Sequence, residues 1–382
     1  MKILFIGEYS NVYTELSKEL KRLGHSTFCI SDGDGFKNYP TDYLFKNEVK
    51  KTNSVLYKSI RQINYRLGLA GIWDFLKRWQ KVKHLFSGYD IVQLINPVAL
   101  TGYGSIPNLI MLHYVKKHNK NIFMSVLGDD YYVIEWFRRN ERTCSYYNSD
   151  NFKNYLKTDV RYRYHRCFLY KYLNDYAVKI SKGLIPGLGC YKHAYDWTNK
   201  VSSVVPFPLS ADRIAKPLEL KNGERVIIFH GWQKGSEKRK GNDIYDKVLK
   251  RIAEKYGDKV EYNVVQSVPF NEYIKLYNSC HIFIDQLYFP EYGYNALLGM
   301  AAGKVVFSGY YKTLMRDYPS YNGEVIGVSA SSNEEELFSQ FCNLIENVDE
   351  LNTISRNAID FVKNNHILNY VANLYLKEWG KC

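Results

Sequence analysis

The sequence predicts an α/β protein built from two doubly wound parallel sheets that face each other across a cleft. Short β-branched and aromatic runs alternate with helical stretches along the chain. That alternation breaks around Pro206 and Pro208 and restarts at Arg225. With 382 residues, 46% of them hydrophobic, the chain also exceeds what one core usually serves. The break within Val201 to Ser210 sets a boundary between a first domain of residues 1–206 and a second that begins at 207.

Lys2 to Ile6 is an apolar strand, Gly7 to Asn11 a loop, and an amphipathic helix runs through Leu23 to a stop at Gly24. Ser26 to Ile30 is the next strand. The segment Tyr57 to Phe86 carries Lys58, Arg61, Arg66, Lys77, Arg78, Lys81 and Lys83 against Asp74 alone. Its apolar residues, among them Ile72, Phe75, Leu76, Trp79 and Val82, recur at helical spacing. This predicts a basic amphipathic helix that either lies on an anionic membrane or turns its stripe to the core. Buried strands follow at Tyr89 to Ile95 and Asn121 to Leu127, the second ending in Gly128, Asp129 and Asp130. In the second half, strands are predicted at Arg225 to Phe229, Val260 to Val265, His281 to Asp285, Val305 to Ser308 and Glu324 to Val328.

Phe283 to Gly309 reads as strand, tight loop, helix of small residues, strand. Tyr294 to Ala302 has helical composition, and Pro290 to Gly293 breaks the chain before it. A helix starting there aims its first N–H groups at the carboxyl end of the sheet, where an anion is expected. Gly293, Tyr294 and Asn295 would supply those groups. Small residues such as Ala296 and Ala301 also serve close helix-to-sheet packing.

A formal charge of +13 asks for an acidic partner: nucleic acid, an anionic membrane surface or a phosphorylated substrate. The 35 tyrosines are spread along the whole chain, and no cluster matches a nucleic-acid-binding signature, so nucleic acid is not the expected partner. No apolar run is long enough to span a bilayer, and the first residues read as a strand rather than a signal peptide, so a cytoplasmic location is expected. Seven scattered cysteines without metal-ligand spacing point to reduced thiols and to no metal.

Several segments in order resemble the retaining, nucleotide-sugar-dependent glycosyltransferases of glycosyltransferase family 4. They are VIIFHG (Val226 to Gly231), RKGND (Arg239 to Asp243), Val268 to Gln286, YGYNALLGMAAGKVV (Tyr292 to Val306), VLGDDYY (Val126 to Tyr132) and the last helix, Ile367 to Trp379. The resemblance covers essentially the whole chain. It implies the GT-B fold of two Rossmann-like domains, with the last helix crossing back so that residues 367–382 join the first domain and the second spans 207–366, and a nucleotide-sugar donor. It also implies front-face transfer without metal or other cofactor, to a glycan or polyprenyl-linked acceptor of the kind used for capsule or O-antigen. Lys240, with Arg239 beside it, would contact the donor diphosphate. His230 and Gly231 would line the phosphates or sugar, though a strand-end histidine can equally be a packed, hydrogen-bonded residue. Val268 and Phe270 would lie near the base. Asp129 or Asp130 would carry an acidic group to the acceptor side or cap the following helix.

The family's paired glutamates beside the donor helix fall on Pro290 and Leu298 here. Glu291 stands one residue late and could reach the sugar by a shifted loop. The missing pair supports one alternative to the transferase reading, a degenerate nucleotide-binding or scaffolding partner; a sugar-nucleotide epimerase of the same fold is a separate one.

Overall fold

The computed structural model describes residues 1–34, 39–47, 55–140, 163–232, 240–266 and 270–381. The chain divides into two compact units. The second runs Leu209–Ile367, and the chain returns to the first at Leu368.

In the first unit the described elements are β1 (Lys2–Ile6), α1 (Val12–Arg22), β2 (Ser26–Ser31), β3 (Tyr43–Leu44), α2 (Val55–Arg66), α3 (Ile72–Val82), β4 (Ile91–Leu94), α4 (Ser105–His118) and β5 (Asn121–Val126). They continue as α5 (Tyr131–Arg139), α6 (Arg163–Arg166), α7 (Phe168–Ile180), β6 (Gly183–Pro186) and α8 (Gly189–Ala194). The six strands pair in parallel in the order β3-β2-β1-β4-β5-β6. Strands buried on both faces read as continuous apolar runs, which is why KILFI and NIFMSV were legible.

The second unit contains β7 (Val226–Trp232), α9 (Asn242–Tyr256), β8 (Val260–Gln266), α10 (Phe270–Ser279), β9 (Ile282–Ile284), α11 (Tyr294–Ala301), β10 (Val305–Ser308), α12 (Lys312–Met315), β11 (Val328–Ser329), α13 (Glu334–Glu346) and α14 (Val348–Asn365). Its strands are again parallel, in the order β11-β10-β9-β7-β8. Ile228, Ile282 and Phe307 meet Leu249 and Phe341 in one core, where the rings of Phe307 and Phe341 stack at 4.1 Å. The final helix, α15 (Leu368–Trp379), packs on α1 in the first unit. There Trp379 Nε1 donates to Gln93 Oε1 at 2.8 Å.

Two expectations need correction. Tyr57 to Phe86 is not one helix: Gly68 and Gly71 sit at φ +71° and +68° and end α2 before α3 begins. Both are also closely approached, for a Cβ on Gly68 would lie 2.1 Å from Ser105 Oγ and one on Gly71 2.7 Å from Tyr103 Cδ1. The strand expected at Glu324 to Val328 shrinks to Val328–Ser329. Gly323 turns the chain at φ +96°, and Gly327 passes so close to Tyr310 that its Cβ would meet the ring at 2.4 Å.

Candidate functional site

In the second unit the chain leaves β7 for β8 on one side and returns to β9 on the other. The strand order therefore reverses between β7 and β9. Ligands of open parallel sheets bind at the carboxyl edge of such a reversal. His230 lies opposite Ile284 in the register, so the ends of β7 and β9 present His230 to Trp232 beside Asp285 and Gln286.

Two helix starts flank the end of β9, and neither has a side-chain cap. Before α9, Gly241 adopts φ +66°, and a Cβ there would lie 2.6 Å from Leu287 Cβ, so only glycine lets this turn close on the strand end. Leu287 N donates to Lys240 O at 3.0 Å, fastening the same contact. Before α11, Gln286 Nε2 donates to Glu291 O at 3.3 Å and braces the loop that ends at Gly293. Gly299 on α11 would place a Cβ 2.7 Å from Val306 Cγ2, so this small residue does serve close packing. First-turn N–H groups without caps, backed by the helix dipole, form a positive rim around Asp285.

Lys240 Nζ lies 3.3 Å from Asp285 Oδ1, and Ser308 Oγ donates to Asp285 Oδ2 at 3.1 Å. The lysine is therefore held at the strand end by a buried carboxylate that keeps a second partner. Transfer of the ammonium to an arriving phosphate leaves Asp285 still hydrogen-bonded to Ser308.

His230 is fully buried and spends both ring nitrogens inside the fold. Asn242 Nδ2 donates to Nε2 at 2.7 Å, which leaves the proton on Nδ1 to reach Tyr262 Oη at 3.0 Å; that hydroxyl donates to Asp246 Oδ1 at 3.0 Å. The packed-histidine alternative thus describes its geometry, and it positions the start of α9. Burial lowers its pKa to about 4, whereas the unfolded chain protonates near 6.5. Between those values the unfolded state binds more protons, so stability is lost as pH falls. The second unit should lose about 2 kcal/mol between pH 7 and 5 from this group. Urea unfolding at the two pH values should show that loss, reduced in His230→Gln; an unchanged slope would contradict the assignment.

Gly231 packs on the Tyr273 ring, where a Cβ would lie 2.8 Å from Cε2. Trp232 Nε1 is buried with no acceptor among the described residues, a spare donor at the same edge. Glu291 is fully buried, with Oε1 accepting from Tyr318 Oη at 3.4 Å. Asn295 is exposed on the first turn of α11, and Tyr294 is buried there. Arg239 and Val268 lie outside the described residues, as does the side chain of Phe270.

In the first unit the structure separates the two aspartates. Asp130 is fully buried; Oδ1 accepts from Val133 N at 2.9 Å and Oδ2 from Tyr195 Oη at 2.8 Å. It caps α5, and burial pushes its pKa up to about 7. Asp129 is half-buried beside Gly128, whose turn at φ +76° meets the Tyr9 ring. Sequence reasoning passed over Glu8, at the reversal between β1 and β4. It is buried, raised to about 7 by that burial, and accepts from Thr14 N at 2.8 Å to hold the start of α1. A single acidic residue after a strand carries no signal that distinguishes it in sequence.

No family model and no curated protein matches the chain. Solved structures do. HepE from Anabaena in complex with UDP-glucose is similar at TM-score 0.59 and 12% identity over 100% of both chains. Sucrose-phosphate synthase from Thermosynechococcus elongatus is similar at 0.61 and 12%, again over 100% of both. UDP-GlcNAc 2-epimerase from Neisseria meningitidis bound to UDP-GlcNAc is similar at 0.50 and 11% over 100% of both. These identities carry the fold alone: two all-parallel α/β units matched over full length give this chain the GT-B fold.

Proposed function

We propose that the protein is a retaining, metal-independent glycosyltransferase that moves a sugar from a UDP- or GDP-sugar to a glycan or lipid-linked acceptor in cell-surface polysaccharide synthesis. Its place would be at the cytoplasmic face of the membrane. The observation that carries this is the carboxyl edge of β9, where Lys240 and the uncapped starts of α9 and α11 surround one strand end. A departing diphosphate needs cations and N–H dipoles where its charge develops, and this rim supplies both without a metal. HepE bound to UDP-glucose has the same fold.

In the reaction the bond from the anomeric carbon to the diphosphate oxygen breaks as a bond to the acceptor hydroxyl forms. The acceptor proton passes to the leaving phosphate. Lys240, Gly293, Tyr294 and Asn295 hold the diphosphate, with Gly231 beside it; the family resemblance gives Arg239 the same role. His230 fixes the start of α9 from within the fold. The family resemblance assigns Val268 and Phe270 to the base. Asp129 orients the acceptor or steadies positive character at the anomeric carbon, with Asp130 as the buried cap that sets its turn. Glu291 supports the loop before α11.

Pro290 and Leu298, where the resembling family carries glutamates, favour a second reading as a nucleotide-binding partner, and the UDP-GlcNAc 2-epimerase that shares the fold supplies a third. Incubation with UDP-, GDP-, ADP- and dTDP-sugars, with and without chelator and a lipid-extract acceptor, separates them. Nucleoside diphosphate released from one donor, with the sugar on a new product and chelator without effect, is the expected result. A sugar nucleotide converted to its epimer, or bound without reaction, would replace the proposal.

A further inference from the structure

The amphipathic pattern predicted for residues 57–86 resolves into two apolar sets with different fates. Phe75, Trp79 and Val82 of α3 are buried, with Phe75 and Trp79 packed on Phe45, Phe86 and one another. This is the core stripe that any helix of the unit needs. A second set faces outward. Trp73 is 78% exposed and Leu76, one turn on, is exposed with it. On α2 and just beyond it, Ile60, Ile63 and Leu67 are exposed at helical spacing. At the start of α7, Phe168 is 81% exposed and Tyr172 follows on the same face.

The junction between α2 and α3 touches α7. A Cβ on Gly68, between α2 and α3, would lie 3.5 Å from Leu169 Cδ1, so the junction touches the residue after Phe168. The helix α6, directly before α7, packs on α2. Scattered exposed apolar residues need no explanation, but a group gathered at one junction and carrying a tryptophan, a phenylalanine and a tyrosine does.

Along α2 and α3 the charge is predominantly positive. Arg66, Lys77 and Lys81 are exposed and have no acidic partner among the described residues. Asp74 is the only acid from Val55 to Val82. It is taken by Arg78 at 3.6 Å and by the Tyr103 hydroxyl at 2.6 Å. An apolar, aromatic patch with uncompensated cations at its border matches the interface of an anionic bilayer, which offers acyl surface beneath a negative layer.

We infer that the α2–α3 junction and the start of α7 form a docking face for an anionic lipid bilayer. The inference deepens the acceptor side of the function proposed above, placing the first unit against the surface that would hold a lipid-linked acceptor. Vesicle binding is read without donor, so it can fail while nucleotide binding and transfer stand, and the reverse.

The experiment is co-sedimentation of the full chain with phosphatidylcholine vesicles and with vesicles containing phosphatidylglycerol, at low and high salt. Two variants accompany it, Trp73→Ser/Phe168→Ser and Lys77→Glu/Lys81→Glu, with thermal unfolding as the check on folding. Wild type should bind the anionic vesicles, weaken with salt and bind neutral ones poorly. Each variant should lose affinity by about tenfold or more while unfolding at the wild-type temperature. Absence of wild-type binding, or binding that neither variant weakens, overturns the inference. A dimer that Trp73→Ser/Phe168→Ser dissociates, without vesicle binding, overturns it by giving the face to a second copy of the chain.

Discussion

Lys240→Ala should lower sugar transfer by about two to three orders of magnitude, the usual effect of removing one positioned donor from developing negative charge. The same change strips the buried Asp285 of its cation, at a cost of about 3 kcal/mol in stability, eased by the remaining bond from Ser308 Oγ. The two effects separate in Lys240→Ala/Asp285→Asn, which removes both charges. That double variant should regain most of the lost stability in urea unfolding and none of the lost turnover. Turnover restored along with stability would mean that Lys240 serves only to neutralise Asp285.

Gly309→Ala should be the most damaging small substitution in the second unit. Its Cβ would lie 2.0 Å from Phe289 O, 2.4 Å from Pro290 C and 2.7 Å from Glu291 N. All three are backbone atoms of the loop that leads into α11, and Tyr311 N also binds Pro290 O at 3.1 Å. No rotamer can relieve such a contact, so the loop must move away from β10. Overpacking of this kind costs about 3 kcal/mol. A displacement near 1 Å at the start of α11 lowers turnover by about a hundredfold. Gly293→Ala is the contrast within the same loop: φ is −90° and its Cβ would meet only Gln286 Nε2 at 3.7 Å. It should unfold at the wild-type urea concentration. Equal stability losses in the two variants would contradict the role given to the contact at Gly309.

Much of the sheet was legible because buried parallel strands are short apolar runs closed by glycine, proline or acidic residues. Lys2–Ile6 and Val305–Ser308 coincide with the expectation, and β2, β5 and β9 differ from theirs by a residue or two. What escaped lacked the run: Tyr43–Leu44 is two residues long, and Gly183–Pro186 opens on glycine and ends on proline. The break between α2 and α3 was written in Gly68 and Gly71, but the hydrophobic period continued across them. Tertiary contacts at Ser105 and Tyr103 decided it.

At the candidate site, the helix start at Tyr294 and the lysine before Gly241 were readable from local pattern. The partners that give them chemical meaning were not. Asp285 meets Lys240 across 45 residues and Tyr195 meets Asp130 across 65, and such pairings depend on strand order. His230 illustrates the same limit. Its position at a strand end was clear, whereas its enclosure by Asn242 and Tyr262 follows only once α9 and β8 are placed beside β7.

The proposed diphosphate site is the carboxyl edge of β9 in the second unit. Backbone amide hydrogen exchange with and without saturating UDP addresses it most directly. Slower exchange is expected at the first turns of α9 and α11, from Asn242 and from Tyr294 onward, with loss of that protection in Lys240→Ala. UDP binding that leaves both helix starts unprotected, or protects only the first unit, would contradict it.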